Sequence, residues 1–226
     1  MTHSEESPAV DETTSRPPGH SATVYPRGST EFDRALAFTD AIFGFSITLL
    51  IASVDVPPDD AWKSVHSLLA SGLGSQLTAF GISFVVVAAF WRTNHRAIAS
   101  FRALDPITLR VSIVLVGLVV FIPFTTRAIS TSTLPLATAL YAVNIALVVL
   151  TSAALVAIGR ARHLTADTDT PLLDEIGREL ATAAVFLASI PVAYLVDPNT
   201  AMLSWLSLLV IDPVVDHFTT RRRPAE

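Results

Sequence analysis

Residues 34–50 read RALAFTDAIFGFSITLL, in which an apolar run begins next to two charged side chains, Arg34 and Asp40. Ionised groups at the mouth of a lipid-embedded helix cost less than at its centre, but they still need polar partners. The two residues are about 600° apart around a helix, so they do not face each other as an i, i+4 pair would. We therefore expect each side chain to meet a polar group on another helix.

The composition of the whole chain is that of a membrane protein. Of the 226 residues, 51% are hydrophobic and 15% are charged, whereas soluble domains carry about 25% charged residues. The apolar segments are long enough to cross a hydrocarbon core of about 30 Å as helices, and they lack the alternation of membrane strands. We predict an all-α membrane protein with six spans, at about 32–54, 75–98, 106–128, 134–159, 178–196 and 200–218.

Polar composition and arginine distribution predict the domain limits and the orientation. Residues 1–30 are rich in Ser, Thr, Pro and charge, which predicts a disordered tail before a six-span domain at 31–219 and a basic C-terminus at 220–226. The connections on one side of the predicted spans hold only Lys63 and Arg127 as basic residues, whereas arginines are frequent on the other. By the positive-inside rule, we expect a multi-pass protein of the plasma membrane with both termini in the cytoplasm.

The second predicted span offers polar partners for the first. Trp91, Asn94 and His95 can donate hydrogen bonds at its cytoplasmic end. A simpler interpretation is that Trp and Arg at helix ends only anchor the protein at the membrane interface. Asp40 fits that interpretation less well, because an acid followed directly by an apolar run must face protein or water. We predict an interhelical polar network.

These residues resemble a known family. RALAFTD, with Phe38 and Thr39 before Asp40, resembles the (Arg/Lys)-x-x-x-Phe-Ser-Asp signature of the bacterial and lysosomal potassium channels related to transmembrane protein 175. FWRTNH resembles the Trp-x-x-His-His element of the family, and FIPFTT its Pro-Phe-Thr element. Thr39 replaces the usual serine and keeps a hydroxyl. Asn94 replaces the first histidine, so only His95 retains an imidazole there.

The resemblance implies a homotetramer in which four first helices line a central pore without a re-entrant filter loop. The sequence agrees in having no TVGYG-like segment. Helical spacing from Asp40 puts four residues on one stripe, with Leu49 at its edge; they are Ala41, Phe45, Thr48 and Ala52. The family register makes Phe45, Leu49 and Ala52 the constriction and Thr48 the selectivity layer, where K⁺ would bind transiently.

Each of these pore assignments has a plainer alternative. An aromatic residue such as Phe45 on an apolar helix is usually part of a core. The Thr48 hydroxyl can bond the carbonyl of Gly44, four residues earlier in its own helix.

The sequence predicts a potassium-selective channel that conducts passively. It has no catalytic or phosphate-binding motif in a suitable context, and its six histidines are scattered, unlike metal ligands. We therefore expect neither an enzyme nor a cofactor, resident metal or nucleic-acid partner. The expected partners are further copies of the chain, the lipid bilayer and K⁺. The alternatives are a proton or weakly selective cation channel and, from another class, a secondary transporter.

Overall fold

The computed structural model describes residues 24–166 and 171–205. Long helices dominate this part of the chain, and two short strands pair antiparallel. The helices are α1 (Thr30–Leu49), α2 (Val65–Leu68), α3 (Gly74–Ala99), α4 (Pro106–Thr131), α5 (Pro135–Ala161) and α6 (Leu172–Leu195). The strands are β1 (Tyr25–Pro26) and β2 (Ala103–Leu104).

The described residues contain five helical stretches with the length and hydropathy of membrane spans. They are Thr30–Ser53, Val65–Ala99, Pro106–Thr131, Pro135–Ala161 and Ile176–Leu195. These stretches overlap the first five predicted spans, although the second begins at Val65 and not near residue 75. The protein is therefore a multi-pass membrane protein. The sixth predicted span begins within a helical stretch at 198–205. The rest of that span lies outside the described residues, as do residues 1–23 and the predicted C-terminal segment 220–226.

Strand and helix structure is present before residue 31, the predicted start of the six-span domain. Strand β1 pairs with β2, where Tyr25 lies opposite Leu104. The Ser29 side chain then accepts a hydrogen bond from the Phe32 N–H and caps α1. Such a cap satisfies one of the free N–H groups at a helix start, so local chemistry fixes where α1 begins.

The connection from α1 to α3 is built from short turns. Helix α1 tightens into a 3₁₀ turn at Leu50–Ser53, and a second 3₁₀ turn follows at Asp59–Lys63. Between α2 and α3 the chain bends at Gly72, whose φ of 87° lies in the left-handed region. Glycine adopts that conformation without the steric cost that other residues meet, so Gly72 allows the chain to turn into α3.

The core of the chain forms around α5, which packs against α4 and α6. Tyr141 of α5 stacks on Trp205, with ring centroids 4.9 Å apart. The Ser83 hydroxyl oxygen lies 3.1 Å from that of Tyr141 and 2.8 Å from that of Thr126. Buried polar groups in a membrane must find partners within the protein, so this hydroxyl chain joins α3, α4 and α5. Helix α1 packs against α3 and α4 at the edge of this core.

Candidate pore-lining helix

Helix α1 has one face buried inside the chain and another that is largely exposed in the described structure. The sealed face holds Phe43, which is 1% exposed, and Ser46 beside it. The open face holds Phe45, which is 61% exposed, and Leu49 at its edge. Ala41, Thr48 and Ala52 are also exposed. The stripe that helical spacing selected therefore lies on the exposed face of α1. We call its four residues the open stripe; they are Ala41, Phe45, Thr48 and Ala52.

Thr48 makes the helix-internal hydrogen bond that the sequence offered as an alternative to a pore role. Its hydroxyl donates to the Gly44 carbonyl at 2.9 Å. The bond uses the only hydroxyl proton, but the oxygen keeps lone pairs that can accept. Because the side chain is exposed, those lone pairs are accessible from the open side. The internal bond and a role as a cation ligand are therefore compatible.

Asp40 meets the second long helix through Trp91. The Trp91 indole N–H donates to an Asp40 carboxylate oxygen at 3.0 Å. The indole also stacks on His95, with ring centroids 5.5 Å apart and an angle of 30° between the rings. An aspartate at the entrance of a span thus has a donor from another helix, as its placement demands. Phe38 on the same turn is 55% exposed, and Thr39 is buried, with its hydroxyl donating to the Ala35 carbonyl.

Arg34 and Asn94 do not join this contact. Arg34 is exposed, and its six-residue offset turns it away from Asp40. No hydrogen bond or ion pair links Arg34 to another described residue. Asn94 is 2% exposed, and neither atom of its amide has a partner within the described part of the chain. Of the network expected from the sequence, the single chain therefore brings together Asp40, Trp91 and His95.

The 3₁₀ turn that ends α1 at Leu50–Ser53 is held by an arginine that the sequence did not single out as a site residue. The Arg127 guanidinium donates to the Ala52 carbonyl at 2.7 Å and to an Asp55 carboxylate oxygen at 3.1 Å. The Ser130 hydroxyl donates to the Ser53 carbonyl at 3.2 Å. A signal was present in the sequence, because Arg127 lies where basic residues are scarce. An arginine on the side where basic residues are scarce indicates a specific partner for its charge.

The N-terminal end of α1 is tied to the α3–α4 connection. Besides the β1–β2 pairing, the Arg27 guanidinium donates to the carbonyls of Ala99 and Phe101. Phe101 is fully buried against α5, where a Cβ added to Gly159 would lie 2.4 Å from its ring. Glycine at position 159 therefore allows the aromatic ring to approach the α5 backbone. These contacts fix the start of α1 relative to the core around α5.

Asp105 anchors the same connection with an ionised side chain. It is 1% exposed, caps α4 through Thr108 and pairs with Arg162. Burial is the largest influence on the pKa of Asp105 and raises it. The hydrogen bonds from Thr108 and the nearby Arg162 charge together outweigh burial and lower the pKa below its ordinary value. The carboxylate is therefore charged at neutral pH.

The first three long helices, α1, α3 and α4, lie largely within a segment that matches a known protein family. Residues 34–123 match the family described as the endosomal/lysosomal potassium channel TMEM175. The match includes α1 with its RALAFTD motif, α3 with Trp91 and His95, and the FIP portion of FIPFTT on α4. In the described residues, no three His, Asp or Glu side chains are grouped so as to hold a metal ion.

Curated potassium channels are among the proteins to which part of this chain is similar. A potassium channel of Chamaesiphon minutus is 31% identical over 104 residues, which are 45% of this chain and 50% of that protein. A potassium channel of Streptomyces collinus is 26% identical over 100 residues, which are 44% of this chain and 48% of that protein. The chain therefore matches about half the length of these relatives.

A solved structure extends the likeness over most of the chain. It is the crystal structure of a lysosomal potassium-selective channel TMEM175 homolog from Chamaesiphon minutus, with a TM-score of 0.61 and 22% identity. The match covers 86% of this chain and 99% of that one. At this identity the likeness concerns the fold, and it confirms the predicted all-α membrane architecture.

Proposed function

We propose that this protein is a potassium-selective channel of the plasma membrane, with both termini in the cytoplasm. Four copies would surround a pore lined by α1, through which K⁺ moves passively. The observation that carries the proposal is the open stripe. It leaves Phe45 and Thr48 uncovered on a helix whose other face is sealed. The choice of K⁺ as the permeating ion comes from the names of the curated relatives, which are potassium channels.

The chemistry of the open face favours a pore over lipid contact. Asp40 lies at the entrance of the span, and Thr48 presents an oxygen further along the same helix. Each group has one partner within the chain, Trp91 for Asp40 and the Gly44 carbonyl for Thr48. Hydrocarbon would leave the remaining lone pairs of the carboxylate and the hydroxyl without donors, which is costly. In a water-accessible pore, both groups can be solvated and can interact with a permeating cation.

The order of residues along α1 supports a narrow apolar ring next to a polar one. With four copies, Phe45 would form the apolar constriction, which restricts conduction by excluding water and dehydrated ions. Thr48 lies one helical turn away, about 4.5 Å along the axis. Its oxygens would replace part of the hydration of K⁺ there, with Leu49 and Ala52 forming the neighbouring layers.

The first test is flux from purified protein in liposomes. We expect K⁺ efflux down its gradient and a reversal potential that shifts with K⁺ much more than with Na⁺ or H⁺. A potential that follows H⁺, or that does not distinguish Na⁺ from K⁺, would support the proton or weakly selective channel instead. Transport that required a second, coupled solute would indicate a secondary transporter.

The second test asks whether α1 faces other copies. The chain has no cysteine, so an introduced thiol is unique. We expect Ala41→Cys on the open stripe to be cross-linked between copies by a short bifunctional maleimide. Ser46→Cys, on the sealed face, is the matched control and should remain monomeric on a denaturing gel. Equal cross-linking of both variants, or of neither, would contradict a pore lined by α1.

A further inference from the structure

Arg127 joins the end of α1 to α4 through two contacts made by a single guanidinium. One nitrogen donates to the Ala52 carbonyl at 2.7 Å, and the other lies 3.1 Å from the Asp55 carboxylate. Asp55 is held in turn, because its N–H donates to the Gln76 side chain of α3 at 2.7 Å. The guanidinium, this carboxylate and the Ala52 carbonyl form what we call the Arg127 clamp.

The clamp answers a physical need at this position. The last carbonyls of a helix have no partner within it and carry partial negative charge. A planar guanidinium can satisfy a carbonyl and a carboxylate at once, whereas a lysine ammonium is a single point charge. Ala52 is also the last residue of the open stripe. The group that fixes its backbone therefore fixes the position of its side chain.

The charges in the clamp are exposed as well as paired. The side chains of Arg127 and Asp55 are 52% and 51% exposed. An exposed pair contributes little to stability, so stability alone is a weak reason for this pair. A lone arginine here would place positive charge near the end of the open stripe, and Asp55 cancels that charge at close range.

We propose that Arg127 is a positioning residue for the conduction pathway and that Asp55 neutralises its charge so that cations can enter from this end. The inference rests on the proposed channel function. In a tetramer, the clamp would hold the Ala52 layer at a fixed distance from the axis. Four neutralised arginines would then surround the mouth of the pore.

The test is a double-mutant cycle in which the ratio of single-channel currents in the two directions is measured. This ratio does not depend on how much protein assembles. In oriented single-channel recordings with K⁺, Asp55→Asn leaves an unpaired cation. We expect it to reduce current entering from the α1 C-terminal side about threefold at 0.1 M salt, with recovery at 1 M. Arg127→Gln leaves an unpaired carboxylate and should increase that current by a similar factor. The double variant should return to the wild-type ratio of currents in the two directions.

Positioning has a separate readout, the permeability ratio of K⁺ to Na⁺. Arg127→Gln and the double variant should lower it, because both release the Ala52 carbonyl. The permeability ratio of Arg127→Lys should lie between the ratios of these two variants and that of wild type. Asp55→Asn should leave the ratio unchanged. Lys63→Gln removes an exposed cation outside the clamp and is the matched control, with a wild-type ratio expected.

The outcomes separate this inference from the function on which it rests. A wild-type protein that carries no K⁺ flux would reject the channel itself. A conducting wild type whose Asp55 and Arg127 variants keep its current asymmetry and its ion selectivity would overturn the inference alone. Variants that change only the yield of assembled protein would show that the clamp is structural.

Discussion

The two faces of α1 have similar composition but different surroundings. Each face carries a phenylalanine and a hydroxyl residue, with Phe43 and Ser46 on one and Phe45 and Thr48 on the other. The first pair is buried against α3 and α4, and the second is exposed. Hydrophobicity alone does not distinguish the faces, because lipid is as apolar as the protein interior. What distinguishes them is the register, which sets the residues that can meet another copy.

The largest expected difference lies between the two phenylalanines. Phe43→Ala leaves a cavity in a sealed interface, and truncating a buried phenylalanine costs about 3–5 kcal/mol. We expect a lower melting temperature in detergent and less assembled protein. Phe45 is 61% exposed, so Phe45→Ala removes far less buried surface than Phe43→Ala and we expect near-normal melting. It should raise K⁺ flux per assembled channel and weaken discrimination against Na⁺.

This pair of variants also controls for nonspecific leakage. Any large-to-small change can loosen a membrane protein, so flux must be compared at equal amounts of assembled channel. Equal flux increases from Phe43→Ala and Phe45→Ala would contradict a gate at Phe45. No increase from a properly assembled Phe45→Ala channel would place the constriction elsewhere, with Leu49 the next candidate.

A smaller effect is expected at the entrance of the span. Asp40→Ala removes the acceptor for Trp91, and a hydrogen bond to a charged group contributes about 1.5–3 kcal/mol. Arg34 is exposed and makes no ion pair in the described chain, so Asp40→Ala leaves no buried cation without its partner. We expect reduced thermal stability of the assembled protein with little change in ion selectivity.

Trp91→Phe is the matched variant for the entrance contact. It removes the indole N–H and keeps an aromatic ring against His95. If the hydrogen bond to Asp40 is the stabilising element, both variants should lower the melting temperature similarly, and their effects should not add. Wild-type stability in Asp40→Ala would indicate that these residues only anchor the helix at the membrane interface.

The parts of this fold that sequence could predict are those that a bilayer imposes. Backbone groups in hydrocarbon must be paired within the segment, so five helices have nearly the expected limits. The open stripe also follows from one residue and a helical period. The Arg127 clamp and the Phe101–Gly159 contact join residues far apart in the chain. No local pattern encodes such pairings, and the expected partner of Arg34 on another helix stays a prediction.

The connection near the start of α1 provides a pH-dependent reference that touches neither face. Because the pKa of Asp105 is lowered in the folded protein, its contribution to stability is present at neutral pH. That contribution is lost as pH falls through the ordinary aspartate range, near 4, and below. Asp105→Ala removes the α4 cap as well, which costs about 0.5–2 kcal/mol. We expect the Asp105→Ala variant to melt at a lower temperature than wild type at pH 7, and this difference should shrink at acid pH. A difference that did not change with pH would show that ionisation of Asp105 does not contribute to stability.

The smallest and most specific effect is expected at the two hydroxyl positions. Thr48→Ala removes the exposed oxygen that would replace part of the K⁺ hydration shell, and it leaves the sealed face untouched. We expect the K⁺ to Na⁺ permeability ratio to fall roughly threefold, which corresponds to about 0.65 kcal/mol. The melting temperature should stay that of wild type. Thr48→Ser keeps the hydroxyl and should keep the ratio, whereas Ser46→Ala changes a hydroxyl on the sealed face and should also leave it unaltered. Selectivity unchanged in Thr48→Ala, or lowered equally in Ser46→Ala, would show that the oxygen on the open face does not contact the permeating ion.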